Sequence, residues 1–334
     1  MSMTALVLST LIAPPPAELP ALQIQDPDPE IDIREWDVPF EEGRARDPYM
    51  APDGTVWFVG QRSDFVGVLD PATGDFRRID LPEGAGPHTV VVSPDGTPWY
   101  AGNRDRHIGR IDPVSGEITR FDVPDDRVRD PHTMAFDSEG RIWFTAQGGG
   151  HVGRFDPRNE EWEIVALSEE GFRPYGIVVG DDDRPWFVMM GTNRLGTVDP
   201  ATLEVREVEL PREETRSRRL DITSDGRVWY ADWAAGHIGA YDPRTDEIRE
   251  WAVPGTAGER PYALMTDTRD KVWFVETGDT PNRLIGFDPA TEEYFAEVEI
   301  PSGAGTVRHM YLNRDTSELW FGTDVGTIGR AVLP

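Results

Sequence analysis

Tyr49, His88, His132, Tyr175, Arg218, Tyr262 and His309 recur at a near-constant distance before a tryptophan. The distance is eleven residues in all but the first, where the repeat reads as three residues shorter. A second polar set, Gln61, Asn103, Gln147, Met190, Trp233, Thr277 and Asp324, follows each tryptophan by four residues, with Asp232 and Glu276 one residue earlier. Histidine titrates near neutrality and a carboxylate can orient it, so such a set is suited to proton transfer. Imidazoles and carboxylates are also metal ligands. In TRSRRLD, one guanidinium of Arg216, Arg218 or Arg219 is suited to a substrate carboxylate or carbonyl. The plainer alternative is that Pro-His and Pro-Tyr only begin a strand, and that the arginine pairs with Glu213 or Glu214. The other histidines, His107, His151 and His237, precede an aliphatic-Gly pair and read as exposed strand residues.

The tryptophans supply the frame. Trp57, Trp99, Trp143, Trp186, Trp229, Trp273 and Trp320 are spaced 42, 44, 43, 43, 44 and 47 residues apart. Each follows a polar turn and precedes Phe or Tyr. An aliphatic-Gly pair recurs in step, from Val66-Gly67 to Ile328-Gly329, and Asp-Pro turns begin at Asp70, Asp112, Asp156, Asp199, Asp242 and Asp288. The stretch Pro87 to Pro124 shows one unit: short β-like runs separated by Asp95-Gly96, by the polar residues before Ile108, and by Asp112-Pro113 with Gly116. Seven such repeats of about 43 residues predict an all-β, seven-bladed β-propeller of four-stranded antiparallel blades. The last repeat ends at IGRAVLP without a fourth strand, and a matching strand, Ile33 to Val38, stands at the other end. The N-terminal strand is therefore expected to complete the last blade, which leaves no full-length sheet edge open. The Trp-aromatic pairs read as packing between blades. Residues 31–334 read as one propeller domain. Its innermost strands line the axis, so the two polar sets meet at one channel mouth.

Composition bounds the rest. A net charge of −28 argues against binding nucleic acid or an anionic membrane surface. The 33 glycines and 29 prolines are spread as turn punctuation. With no cysteine, disulfides, thiol catalysis and thiolate metal sites are excluded. No apolar run is long enough to span a membrane. Residues 1–30 contain a short apolar core, Ala5 to Ala13, then Pro and small residues, resembling the tail of a secretory signal without its basic start. Periplasmic or extracellular residence is expected on that reading; a disordered leader on a cytoplasmic protein is the other. A monomer acting on a small molecule or cyclic peptide is expected.

The repeat itself (Pro-His/Tyr, then Asp-Gly-x-x-Trp-Phe, then Ile-Gly-Arg-hydrophobic-Asp-Pro, then a strand ending in Leu/Val-Pro) resembles that of the streptogramin lyases, or virginiamycin B lyases, over roughly residues 33–334. The resemblance implies elimination. A histidine base removes an α-proton from a cyclic depsipeptide, the ester C–O bond breaks without water, and magnesium assists by stabilising enolate-like charge. Carried over in sequence register, the base falls on His309 in VRHMY and its companion carboxylate on Asp324. Val307 stands where the family has a second Glu, and Tyr262 where it has a second His. A similar constellation, His88, His132 and Asp130 with Gln147, recurs in the second and third blades. The resulting expectation is a lyase with His309 as base and Asp324 as its orienter or metal contact. Its substrate pocket is made by His88, His132, Gln147, Tyr175, Arg218, Tyr262 and Glu276. The alternatives are a metal-dependent propeller lactonase, with Glu276, Asp232 and Asp324 as oxygen ligands, and a non-catalytic propeller that binds a ligand or partner.

Overall fold

A computed structural model describes residues 31–40, 44–255 and 258–334. The leader expected over residues 1–30 lies outside them. The described chain forms seven four-stranded antiparallel sheets, arranged as the blades of a closed propeller. The innermost strands are Ala45–Met50, Pro87–Val92, Pro131–Phe136, Pro174–Val179, Ser217–Ile222, Pro261–Thr266 and Val307–Asn313. The N-terminal strand Ile33–Asp37 pairs antiparallel with Thr327–Val332, Ile33 opposite Ala331 and Asp37 opposite Thr327. It is the outer strand of the last blade, as the sequence predicts.

Seven hydrophobic clusters hold the ring, one at each junction between blades. In each, the tryptophan of one blade meets the Phe or Tyr after the tryptophan of the next: Trp57 with Tyr100, Trp99 with Phe144, Trp143 with Phe187, Trp186 with Tyr230, Trp229 with Phe274, Trp273 with Phe321 and Trp320 with Phe58. Strand alternation puts each tryptophan and the Phe or Tyr that follows it on opposite faces of their blade, so each blade grips both neighbours. The glycine of the recurring aliphatic-Gly pair has a steric cause. A Cβ on Gly153 would lie 2.2 Å from the Phe144 ring, which crosses the glycine on the neighbouring strand.

Pairing between the first and second strands slips near the start of every inner strand. Such a bulge leaves extra residues unpaired and re-aims their side chains. The pairing also corrects two sequence registers. Ala45 lies opposite Gly60 just as Pro87 lies opposite Gly102, so the first repeat is not shortened. Its mouth residue is Arg46; Tyr49 is three residues on, opposite Trp57. In the last blade Tyr311 lies opposite Trp320, nine residues apart, where Val91 and Trp99 are eight apart. The turn between these strands is one residue longer, so counting eleven back from Trp320 stops one residue short. The mouth residue there is Arg308, and His309 lies one step deeper.

Candidate active site at the channel mouth

The corrected pairing gives two tiers around the axis. The outer tier is Arg46, His88, His132, Tyr175, Arg218, Tyr262 and Arg308. The inner tier is Asp47, Thr89, Thr133, Gly176, Arg219, Ala263 and His309. Asp47 is the buried anion of the inner tier. Its Oδ2 accepts from Thr89 Oγ1 at 2.8 Å and from Arg219 Nη2 at 3.3 Å, and Arg46 Nε stands 3.5 Å from Oδ1. The arginines outweigh the burial that opposes its charge, so the carboxyl is held far below its ordinary range. Arg219 spans the channel. It donates to Asp47 of the first blade, to Thr133 Oγ1 of the third at 2.9 Å, and to the Arg308 carbonyl of the last at 2.9 Å. Above this bar lies a cleft of about 320 Å³, lined by Arg44, Arg46, Gln61, His88, Asn103, Asp130, His132, Gln147, Tyr175, Met190, Arg218 and Arg308.

His88 and His132 are buried neighbours with ring centroids 3.4 Å apart, and Tyr175 lies 4.0 Å beyond His132. Burial first, then nearby arginines, push both imidazoles well below 6.5, so both are neutral at physiological pH. Their hydrogen bonds assign different tautomers. Thr89 gives its hydroxyl proton to Asp47, so at 3.2 Å from His88 Nδ1 it can only accept. His88 therefore carries its proton on Nδ1 and presents a bare Nε2. Thr133 accepts from Arg219, so its own proton is free for His132 Nδ1 at 3.0 Å. That bond puts the proton of His132 on Nε2. No hydrogen bond engages either Nε2 among the described residues. A lone pair and an N–H thus stand side by side at the cleft.

Tyr175 and Tyr262 share a 2.6 Å hydrogen bond. Burial raises the pKa of Tyr175, but Arg46 and Arg219 outweigh it and the net direction is down, whereas burial carries Tyr262 up. Arg218 packs against Trp233, Tyr262 and Tyr175, with its Cζ at 4.6, 5.5 and 5.7 Å from the ring centroids. Gln147, oriented to satisfy both neighbours, donates to Asp130 Oδ2 at 3.2 Å and accepts from Arg173 Nη2 at 3.3 Å.

Five of the expected site residues, His88, His132, Gln147, Tyr175 and Arg218, therefore line one cleft, and Tyr262 adjoins it through Tyr175. Three do not. His309 lies in a separate crevice with Asp47 and Asp324; burial pushes its pKa down to about 3. Asp324 does not orient it: its carboxylate meets Arg308 Nη2 at 2.6 Å and Arg44 Nε at 3.1 Å. Glu276 is fully buried away from the cleft, accepting from the Arg260 and Gly278 amides and pairing with Arg283 at 3.2 Å. Asp232 braces its loop through the Arg216, Ala234 and Ala235 amides. The outer histidines are also corrected. His107 is fully buried between Asp105 (2.6 Å) and the Tyr100 hydroxyl (2.9 Å), His151 is buried, and His237 is half-buried. Each starts a third strand, and His107 folds over Gly102, where a Cβ would lie 2.0 Å from its ring.

The residues present do not fit a magnesium ion. A hard cation needs several converging oxygens. Among the described residues no three His, Asp or Glu side chains converge, and Asp47 and Asp324 are already engaged by guanidinium groups. The residues missed by sequence reasoning are Arg46, Asp47, Thr89, Thr133 and Arg308. An uninterrupted count of eleven back from Trp57 reaches Arg46, which was the available signal.

Comparison with known structures agrees with this architecture. Virginiamycin B lyase from Staphylococcus aureus superposes with a TM-score of 0.82 at 21% identity, over 91% of this chain and 100% of that one. A streptogramin B lyase gives 0.81 at 22%, over 91% and 98%. A catalytically inactive variant of the Staphylococcus aureus enzyme, with quinupristin, gives 0.82 at 22%, over 91% and 100%. A search of curated proteins gave no match. Identity at this level speaks for the fold alone, but the sequence model of the Virginiamycin B lyase family matches residues 31–331, nearly the whole described ring, and the chain belongs to that family.

Proposed function

We propose that the cleft is a carbon–oxygen lyase site in which His88, not His309, is the base. The observation that carries this reading is the His88–Thr89–Asp47 chain, which fixes a bare Nε2 at the cleft. Proton abstraction α to a carbonyl needs an unprotonated base and positive groups for the developing enolate oxygen. Arg46, Arg218 and the Nε2–H of His132 supply the second requirement. His88 takes the α-proton, the electron pair forms the Cα=Cβ double bond, and the Cβ–O bond breaks. Water is not consumed. The family supports an ester leaving group such as that of a cyclic depsipeptide. No step here uses a metal, since the carboxylates nearby are held by arginines.

The test is turnover of type B streptogramins and other β-acyloxy or β-alkoxy carbonyl compounds in ¹⁸O-labelled water. The expected product has the mass of the substrate atoms alone. His88→Ala should lower kcat about 10²–10⁴-fold, the usual worth of a positioned base. His309→Ala should change it less than ~3-fold, since general-base loss is not involved. Label in the product would establish a hydrolase instead. A protein that binds such compounds without converting them would be the binding propeller.

A further inference from the structure

We infer that the substrate carries a free carboxylate beside the proton that is removed, held between Arg46 and Arg218. This rests on the lyase reading of the same cleft. Arg46 is 4% exposed, donates Nη1 to Gln61 Oε1 at 3.0 Å, pairs its Nε with Asp47 Oδ1 only at 3.5 Å, and leaves Nη2 without a hydrogen bond. Arg218 has no carboxylate within ion-pair reach among the described residues. Its faces are covered by Trp233, Tyr262 and Tyr175, its Nη1 meets only the sulfur of Met190, and its Nε is buried and unbonded. Arg44 and Arg308 divide one carboxylate, Asp324, between them. The four arginines on the cleft wall share that wall with a single carboxylate, Asp130, which bonds Gln147, in a chain whose net charge is −28.

Unpaired guanidinium groups are costly to bury, and they match carboxylate oxygens in a planar fork. A carboxylate at this position has a chemical use. Removing a proton α to a free carboxylate builds a second negative charge on its oxygens, which needs more than one fixed cation. The neutral carbonyl of an ester or amide does not. In the balanced step, His88 Nε2 takes the Cα proton, Cα=Cβ forms, Cβ–O breaks, and the leaving oxygen receives the proton from His88. The products are an α,β-unsaturated acid and an alcohol or second acid. The cleft volume of about 320 Å³ suits a ligand of one or two rings.

Digalacturonate has the required carboxylate, α-proton and β-alkoxy group, and its methyl ester removes only the charge. Both are titrated into the full chain by calorimetry. The acid should bind at least ~10-fold tighter than the ester, the scale of a charge-assisted bidentate pair. Arg218→Met and Arg46→Gln should each erase that preference; Arg218→Met, at the half-buried and more tolerant position, keeps the test valid if Arg46→Gln fails to fold. Equal or tighter binding of the ester, or a preference that survives Arg218→Met, overturns the inference. Inorganic phosphate that displaces the acid supports anion recognition, whereas phosphate that binds tighter than the acid overturns the carboxylate assignment. Conjugated product is read separately by ultraviolet absorbance. Acid preference without product from this or any other tested substrate removes the lyase reading and leaves standing only the carboxylate site between Arg46 and Arg218. Product formed equally from acid and ester does the reverse.

Discussion

His88 and His132 occupy the same position in adjacent blades, in the same Pro-His-Thr sequence, yet the hydrogen-bond accounting gives them opposite roles. The difference lies one residue further on. Thr89 faces the carboxylate of Asp47, whereas Thr133 faces the guanidinium of Arg219. Thr89→Val removes the acceptor that fixes the proton of His88 on Nδ1 and should lower kcat about 10-fold or more, within the range of a base put in the wrong tautomer, with little change in KM. A rise in KM alone would mark Thr89 as a packing residue. Because burial and then Arg46 hold His88 well below 6.5, kcat/KM should stay level as pH falls through 6.5 and decline only in more acid solution. An inflection at or above 6.5 would remove His88 from the base position. Stability has the same sign. His88, His132 and His309 have folded-state pKa values below the unfolded value of 6.5, so the unfolded chain binds more protons between the two. Their contribution is complete above 6.5 and is lost as pH falls toward about 3, the value for His309. Urea midpoints at pH 7 and pH 5 should therefore fall in that order.

At the scale of the strand, the repeat was legible because turns, tryptophans and glycines are local and periodic. Blade number, strand order and the N-terminal closure all followed from them. The bulges were not legible, since a bulge depends on which partner residue each amide reaches and leaves no compositional trace. Two misplacements had other causes. Tyr49 continued the aromatic pattern while Arg46 broke it, and the longer turn after Tyr311 moved His309 into apparent alignment with His88. The cleft residues His88, His132, Tyr175 and Arg218 were legible because their blades keep the common spacing. The inner tier needed the pairing itself. Gly176 shows how tightly that tier is built. It is the inner-tier residue of the fourth blade, and a Cβ there would lie 2.7 Å from the Arg218 carbonyl and 3.2 Å from Arg219 Cδ. The missing side chain is what lets Arg219 cross the channel. Gly176→Ala should cost about 1–3 kcal/mol, as overpacking usually does, measured by urea denaturation. It should also loosen the Thr133 and Asp47 bonds of Arg219, visible as faster amide exchange at those residues. An unchanged midpoint and exchange pattern would show that the bar has room to spare.

The chain joins all seven blades in turn, the last to the first through the segment after Asp37, so the ring is closed by pairing inside the last blade, where the N-terminal strand meets Thr327–Val332 beside the junction with the first blade. There the cluster of Trp320, Ile328, Phe58, Phe65 and Ala45 also contains Trp36 from the N-terminal strand. Trp36 stacks on Trp320 with centroids 5.6 Å apart, and Glu35 ties the same strand to Ser302 and Thr327 at 2.6–2.7 Å. This junction also runs past the cleft: Arg46 lies on one side and Arg308 on the other, with the Arg44–Asp324 ion pair crossing it at 3.1 Å. Closure of the fold and geometry of the cleft are therefore coupled. Trp36→Ala should cost about 3–5 kcal/mol, the usual range for a buried tryptophan, and should also weaken anion binding at the cleft. Trp251→Ala is the control, because Trp251 makes the same stack on Trp229, at 5.2 Å, in a blade whose four strands are consecutive in the chain. It should destabilise without changing affinity among the molecules that remain folded. Hydrogen exchange separates the cases: the Trp36 variant should expose the amides of Arg46, Asp47 and Val307, and the Trp251 variant should leave them protected. If both variants lose stability and neither changes exchange at Arg46 or affinity at the mouth, the clasp holds the fold alone and the cleft is shaped by its own blades.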